Sequence, residues 1–91
     1  MIDNERKLIV ASIKDELTGI YMEPKYFDSD EDAIRFFKYV LNQNKIMKDN
    51  AAMYSLYRLA NFGEKSGYHI EEEQPYMIQG GTSVIERSEN G

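Results

Sequence analysis

The stretch Asp28-Ser29-Asp30-Glu31-Asp32-Ala33-Ile34-Arg35-Phe36-Phe37-Lys38-Tyr39-Val40-Leu41-Asn42 reads as one amphipathic helix. Ser29 or Asp28 can cap its first amides, and Asp30, Glu31 and Asp32 suit the positive end of its dipole. At about 100° per residue, Ala33, Ile34, Phe36, Phe37, Val40 and Leu41 fall in one arc. Arg35, Lys38, Tyr39 and Asn42 fall opposite. Asn42-Gln43-Asn44 supplies the stop. Such a helix needs an apolar surface to lie on, and its neighbours must provide it.

On both sides of the helix the pattern turns to β-structure. Leu8 to Lys14 is rich in Ile and Val and breaks at the turn-like Asp15-Glu16-Leu17-Thr18-Gly19. Ile20 to Phe27 resumes an extended pattern, with Pro24 marking an edge position or a bulge. Together these predict a β-hairpin. After the helix, a polar loop with Lys45, Lys48, Asp49 and Asn50 leads to Met53 to Phe62. That run alternates Tyr54, Leu56, Arg58, Ala60 and Phe62 against Met53, Ser55, Tyr57, Leu59 and Asn61. Gly63-Glu64-Lys65-Ser66-Gly67 is a turn signal with two glycines available for positive φ. Tyr68 to Glu73 is the return strand, and Tyr76-Met77-Ile78 is a short fifth strand or an extended arm. Gly80-Gly81 punctuates the chain there. The prediction is a small single α+β domain of β-β-α-β-β order. Its antiparallel sheet has four or five strands packed against one helix. Residues 1–6 are expected to be flexible, 7–81 to form the domain, and 82–91 to be a disordered tail.

Composition bounds the rest. With 91 residues the chain has room for one core, burying roughly two-thirds of its unfolded surface. Seven Tyr and four Phe can fill that core, and the absence of Cys excludes disulfides, thiolate metal sites and thiol nucleophiles. A net charge of −5 argues against a general nucleic-acid coat. The charge is uneven, however: Arg35, Lys38, Lys45 and Lys48 form a basic window with no acid between Ala33 and Lys48. Neither a signal peptide nor an apolar run of ~20 residues is present, so no membrane association is expected.

No arrangement of Ser, His and Asp, phosphate-cradling glycine loop or carboxylate pair in an apolar setting stands out. The expectation is a non-enzymatic protein without a cofactor. His69, Glu71 and Glu73 have ligand-like strand spacing but read as a solvated strand end. Asp28-x-Asp30-x-Asp32 opens like a calcium loop, then fails at Ala33 and Tyr39. Two binding modes compete. Single-stranded DNA could meet Arg35, Lys38, Lys45, Lys48 and Arg58 as charges, with Tyr54 or Tyr57, Tyr21, Tyr26 and Tyr68 as stacking platforms. The plainer account is that lysines complement a helix C-terminus and tyrosines are ordinary strand residues. A Tyr-rich surface and free strand edges fit equally a protein partner, either a replication or host protein or a second copy.

Several segments in order resemble the small nonstructural protein of gokushovirus-type microviruses, which are single-stranded DNA bacteriophages. They are Ile13-Lys14-Asp15-Glu16; Ala33-Ile34-Arg35 with Phe37, Leu41 and Asn42; Tyr54 to Leu59 with Phe62; and Ile70, Pro75 and Gly80. The likeness spans roughly Leu8 to Gly81. The chain departs from it at Ala60 and Gly63, where a glycine and an acid are expected. The resemblance implies a non-enzymatic role in viral genome replication in the host cytoplasm. The analogy is with the small protein that commits related coliphages to single-stranded DNA synthesis and packaging.

Overall fold

The structure, a computed structural model, describes residues 6–86. Five antiparallel strands, β1 (Lys7–Asp15), β2 (Ile20–Tyr21), β3 (Lys25–Phe27), β4 (Tyr54–Gly63) and β5 (His69–Gly80), form one sheet. The path is β2-β1-β4-β5, and β3 pairs β1 beside β2. The main helix α1 (Asp30–Gln43) lies on one face, giving the α+β class expected.

Helix α1 starts where its sequence places it. Ser29 is the N-cap, its hydroxyl accepting the Asp32 amide at 3.2 Å. Ala33, Phe37 and Leu41 are buried, with Ile34, Phe36 and Val40 packed against the same cluster. The matching sheet face is Ile9, Ala11 and Ile13 of β1 with Leu56 of β4. Those β1 residues are two apart and so share one side of the pleat. In the first turn the amides of Leu17 and Thr18 donate to the Asp15 carboxylate, and Gly19 takes φ 76°. Pro24 sits in the break between β2 and β3, at the edge of the sheet as expected. In the second turn only Gly67 takes a positive φ.

Four expectations need correction. The loop after α1 contains a one-turn helix, α2 (Lys45–Asp49), because Asn44 caps it through an accepted Met47 amide and Met47 is buried. Met53 belongs to the 3-10 turn Ala51–Met53 that precedes β4. The strict alternation along β4 fails at Leu59. Val10 opposes Ala60 while Ala11 opposes Arg58, so Leu59 is an extra residue, a β-bulge. One added residue flips every later side chain to the other face. Asn61 therefore joins Tyr54, Leu56 and Arg58 on the helix side, while Ala60 and Phe62 join Ser55 and Tyr57 on the open side. Finally, the return strand and the Tyr76-Met77-Ile78 run are one strand, β5, carried past Pro75 by an irregular stretch opposite Leu59.

Order also continues beyond the expected boundary at Gly81. Gly81–Val84 is a 3-10 turn whose Val84 is part of the core. Asn42 holds it from α1, donating to the Val84 carbonyl at 3.0 Å and accepting the Glu86 amide at 2.9 Å. The flexibility expected for residues 1–5 and the disorder expected for 87–91 lie outside the described residues.

Candidate nucleic-acid interface

The structure does not bring the residues of the basic window together with the tyrosines. Arg35 and Lys38 project from the outer side of α1, and Lys45 and Lys48 from α2. Tyr54 and Arg58 lie on the helix side of the sheet, Tyr54 packed against the core. Tyr57 is on the opposite sheet face. Most of the cations already have acidic partners. Arg35 pairs with Asp32 at 3.1 Å, Lys38 with Glu86 at 3.5 Å, and Lys45 with Asp49 at 2.8 Å. The Asp49 bond raises the Lys45 pKa above its ordinary value. Lys48 stands in the last turn of α2, where it complements the carbonyl end. Such exposed pairs contribute little energy each. Their effect here is to cancel the field that phosphates would feel.

Arg58 is the most engaged of these cations. Its guanidinium donates to Glu72 at 3.0 Å and to Asp30 at 3.3 Å, and lies 4.9 Å from the centre of the Tyr76 ring. Asn61 donates to the same Glu72 carboxylate. This half-buried network ties the start of α1 to the irregular stretch of β5. Arg58 is thereby a structural cross-link between helix and sheet.

The face turned away from α1 carries the aromatic surface. Pairing across the sheet aligns Lys14 with Tyr21 and Ser55, Ser12 with Tyr57, Val10 with Tyr26 and Ala60, and Leu8 with Phe62. Phe62 in turn faces His69. Two clusters result. In one, the Tyr21 and Tyr57 rings meet edge to face at 5.7 Å, with the Lys14 ammonium 5.3 Å and 5.4 Å from their centres. In the other, Tyr26, Phe62 and His69 pack mutually at 4.8–5.8 Å, and the Tyr26 hydroxyl bonds His69 Nε2 at 2.6 Å. The four residue steps from Val10 to Lys14 set the clusters about 13 Å apart along β1. Among the described residues, no helix packs on this face. Sequence reasoning named Tyr21, Tyr26 and Tyr57 but missed Lys14, Phe62 and His69. The alternation of β1 already places Lys14 there; the bulge concealed Phe62.

One contact on this face shifts the ionisation of both its partners. The Tyr57 hydroxyl donates to Glu16 Oε2 at 2.7 Å. That bond favours the Glu16 carboxylate, holding its pKa below the ordinary value, and pushes the Tyr57 phenol up to about 12. The lowered carboxyl contributes stability present above its unfolded pKa and lost as pH falls through the folded value. The raised phenol contributes stability present below about pH 10 and lost as pH rises towards about 12. Tyr57→Phe is expected to move the Glu16 carboxyl midpoint upward in an NMR titration. It should also remove the latest-titrating tyrosine from the ultraviolet profile. An unmoved Glu16 midpoint would contradict the bond.

His69 and Glu71 share the open face, and Glu73 lies in the irregular part of β5. Among the described residues, no group of three or more His, Asp or Glu side chains converges to hold a metal ion. Nor is any helix among them long and apolar enough to cross a membrane. No curated protein and no solved structure matches the chain. The profile of one family, described as Phage ORF5 protein, matches residues 8–84, from the second residue of β1 to the buried Val84. That span contains the whole sheet but for Lys7, together with the helix and the turn that closes on it, so the chain belongs to the Phage ORF5 protein family of bacteriophages.

Proposed function

We propose that this phage protein is a non-enzymatic nonstructural factor of the gokushovirus type. In this reading it acts in the host cytoplasm during viral genome replication and binds single-stranded DNA across the open face of its sheet. The observation that carries the reading is the pair of aromatic clusters, set far enough apart on one open face to take two different bases. Base stacking on such side chains contributes ~1–3 kcal/mol per base and tolerates any sequence. The resemblance to microvirus nonstructural proteins supports the target. The interface is thus moved from the helix to the sheet: Tyr21, Tyr26, Tyr57, Phe62 and His69 stack, and Lys14, itself paired with Glu16 at 3.6 Å, is the cation beside them.

This geometry implies an unusual salt response. With Lys14, already paired with Glu16, as the cation on a face that also carries Glu71, the slope of log K against log salt should be no steeper than about −0.7, the value for one phosphate neutralised on a single strand. Fluorescence anisotropy of a labelled oligothymidylate titrated at several salt concentrations measures it. Tyr26→Ala is expected to weaken binding about tenfold, the equivalent of one lost stacking contact. Lys38→Glu with Lys45→Glu should leave binding unchanged, because both lysines are already neutralised and lie off the face. Absence of binding at low salt by folded protein would sink the DNA reading.

The competing reading, docking on a replication or host protein, is favoured by one specific observation. Arg35, Lys38, Lys45 and Arg58 are all spent on acids of the same chain. An acidic protein with a Tyr-rich face then suits a protein surface. The same titration separates the two readings.

A further inference from the structure

The two edges of the sheet are unlike. On one side the edge consists of the fragments β2 and β3, two and three residues long, interrupted by Met22-Glu23-Pro24. Short pieces, a charge and a proline are the devices that prevent a strand from adding there. On the other side β5 runs twelve residues and, among the described residues, pairs with no strand outside it. Met77 on it is 53% exposed and Tyr76 52%. A long free edge bearing apolar side chains is a template for association.

We propose that β5 pairs antiparallel with β5 of a second copy about Met77, forming a closed two-fold dimer. Four observations select this occupant and register. Glu71, Glu72 and Glu73 crowd the first half of β5, so self-pairing centred there would oppose like charges; Tyr76–Gly80 carries none. Pro75 lacks the amide that a ladder needs, which confines pairing to the residues after it. Directly opposed residues must share a face. Tyr76, against the Arg58 guanidinium, and Ile78, against the core, are on the helix side, while Met77 opposes Tyr57 on the open side. A centre at Met77 satisfies this, matching Tyr76 with Ile78 of the second copy and Met77 with itself; a centre at Ile78 would oppose Met77 on the open side to Gln79, which the extra residue at Ile78 places on the helix side opposite Leu56. The protected far edge then stops growth at two copies, because an isologous contact uses up the free edge.

A two-fold axis perpendicular to the sheet leaves both open faces on the same side. The dimer stands independently of what that face binds. If it binds DNA, the aromatic track is doubled.

The chain contains no cysteine, so a single introduced thiol reports the register without ambiguity. In Met77→Cys the two thiols meet across the axis, where opposed Cβ atoms lie ~4.5–5.5 Å apart, close to disulfide reach. Under mild oxidation this variant is expected to crosslink at least about tenfold faster than Tyr39→Cys, whose thiol sits on the outer face of α1. Sedimentation of the unmodified protein should show a monomer–dimer equilibrium without larger species. Met77→Lys, folded by circular dichroism, should weaken it about tenfold or more. A unmodified protein that stays monomeric up to the highest soluble concentration overturns the proposal. So do equal crosslinking rates for the two thiol variants, or an unaltered dimer in Met77→Lys. None of these readouts involves DNA, so failure of the dimer and failure of the DNA reading are told apart.

Discussion

Gly81→Ala is expected to destabilise the domain by about 3 kcal/mol, while Gly80→Ala changes it little. A β-carbon on Gly81 would stand 2.1 Å from the Ala51 carbonyl oxygen and 2.7 Å from that of Tyr54. Both obstacles are backbone, in the 3-10 turn Ala51–Met53 and at the start of β4, so neither can swing aside as a side chain would. Relief requires the Gly81–Val84 turn to lift away, withdrawing Val84 from the core and loosening the Asn42 bonds on the last described residues. Gly80, one residue earlier, has nothing within 4 Å of its β-carbon position and an extended backbone at φ −90°. A domain of this size has roughly 5–14 kcal/mol of total stability. The Gly81 change should therefore lower its melting temperature by about 12–24 °C. Urea denaturation of the two variants checks the pair. Equal midpoints would show that the turn is not held where the structure places it.

That contrast also marks where the sequence was legible. Gly80-Gly81 reads as punctuation, but nothing local distinguishes a glycine with empty space around it from one pressed against two carbonyls. The distinction arises between Gly81 and Ala51, thirty positions apart, and only the fold brings them together. The bulge at Leu59 is of the same kind. Its run of β-forming residues predicts a strand correctly, yet the extra residue is set by pairing with β1 and β5. Missing it placed Phe62 on the wrong face and hid half of the aromatic surface. Helix α1 was readable because its cap, its acidic first turn and its apolar arc are all local. The charges on its outer side were readable as charges. Their partners were only partly so: Asp32 and Asp49 lie within one helical turn of Arg35 and Lys45, but Glu86 reaches Lys38 through the returning chain.

The helix provides the other large effect, and its sidedness makes the test internal. Phe37→Ala is expected to cost about 3–5 kcal/mol, and Tyr39→Ala less than about 0.5 kcal/mol. Both remove an aromatic ring from the middle of α1, two residues apart, with the same loss or gain in helix propensity to first order. Only the surroundings differ. Phe37 is fully buried in the cluster that joins α1 to Ile9, Ala11, Ile13 and Leu56. Its truncation leaves a cavity between helix and sheet that the paired strands, held by their ladders, cannot collapse to fill. Tyr39 is 64% exposed on the outer side, so its ring leaves water on neither state of the chain to a large extent. Chemical denaturation of the two variants reads the difference directly. Near-equal losses would mean that α1 does not rest on the sheet through the Ala33–Phe37–Leu41 stripe. The open face would then lose its claim to be the free one, because which sheet surface faces solvent follows from which one the Phe37 ring covers.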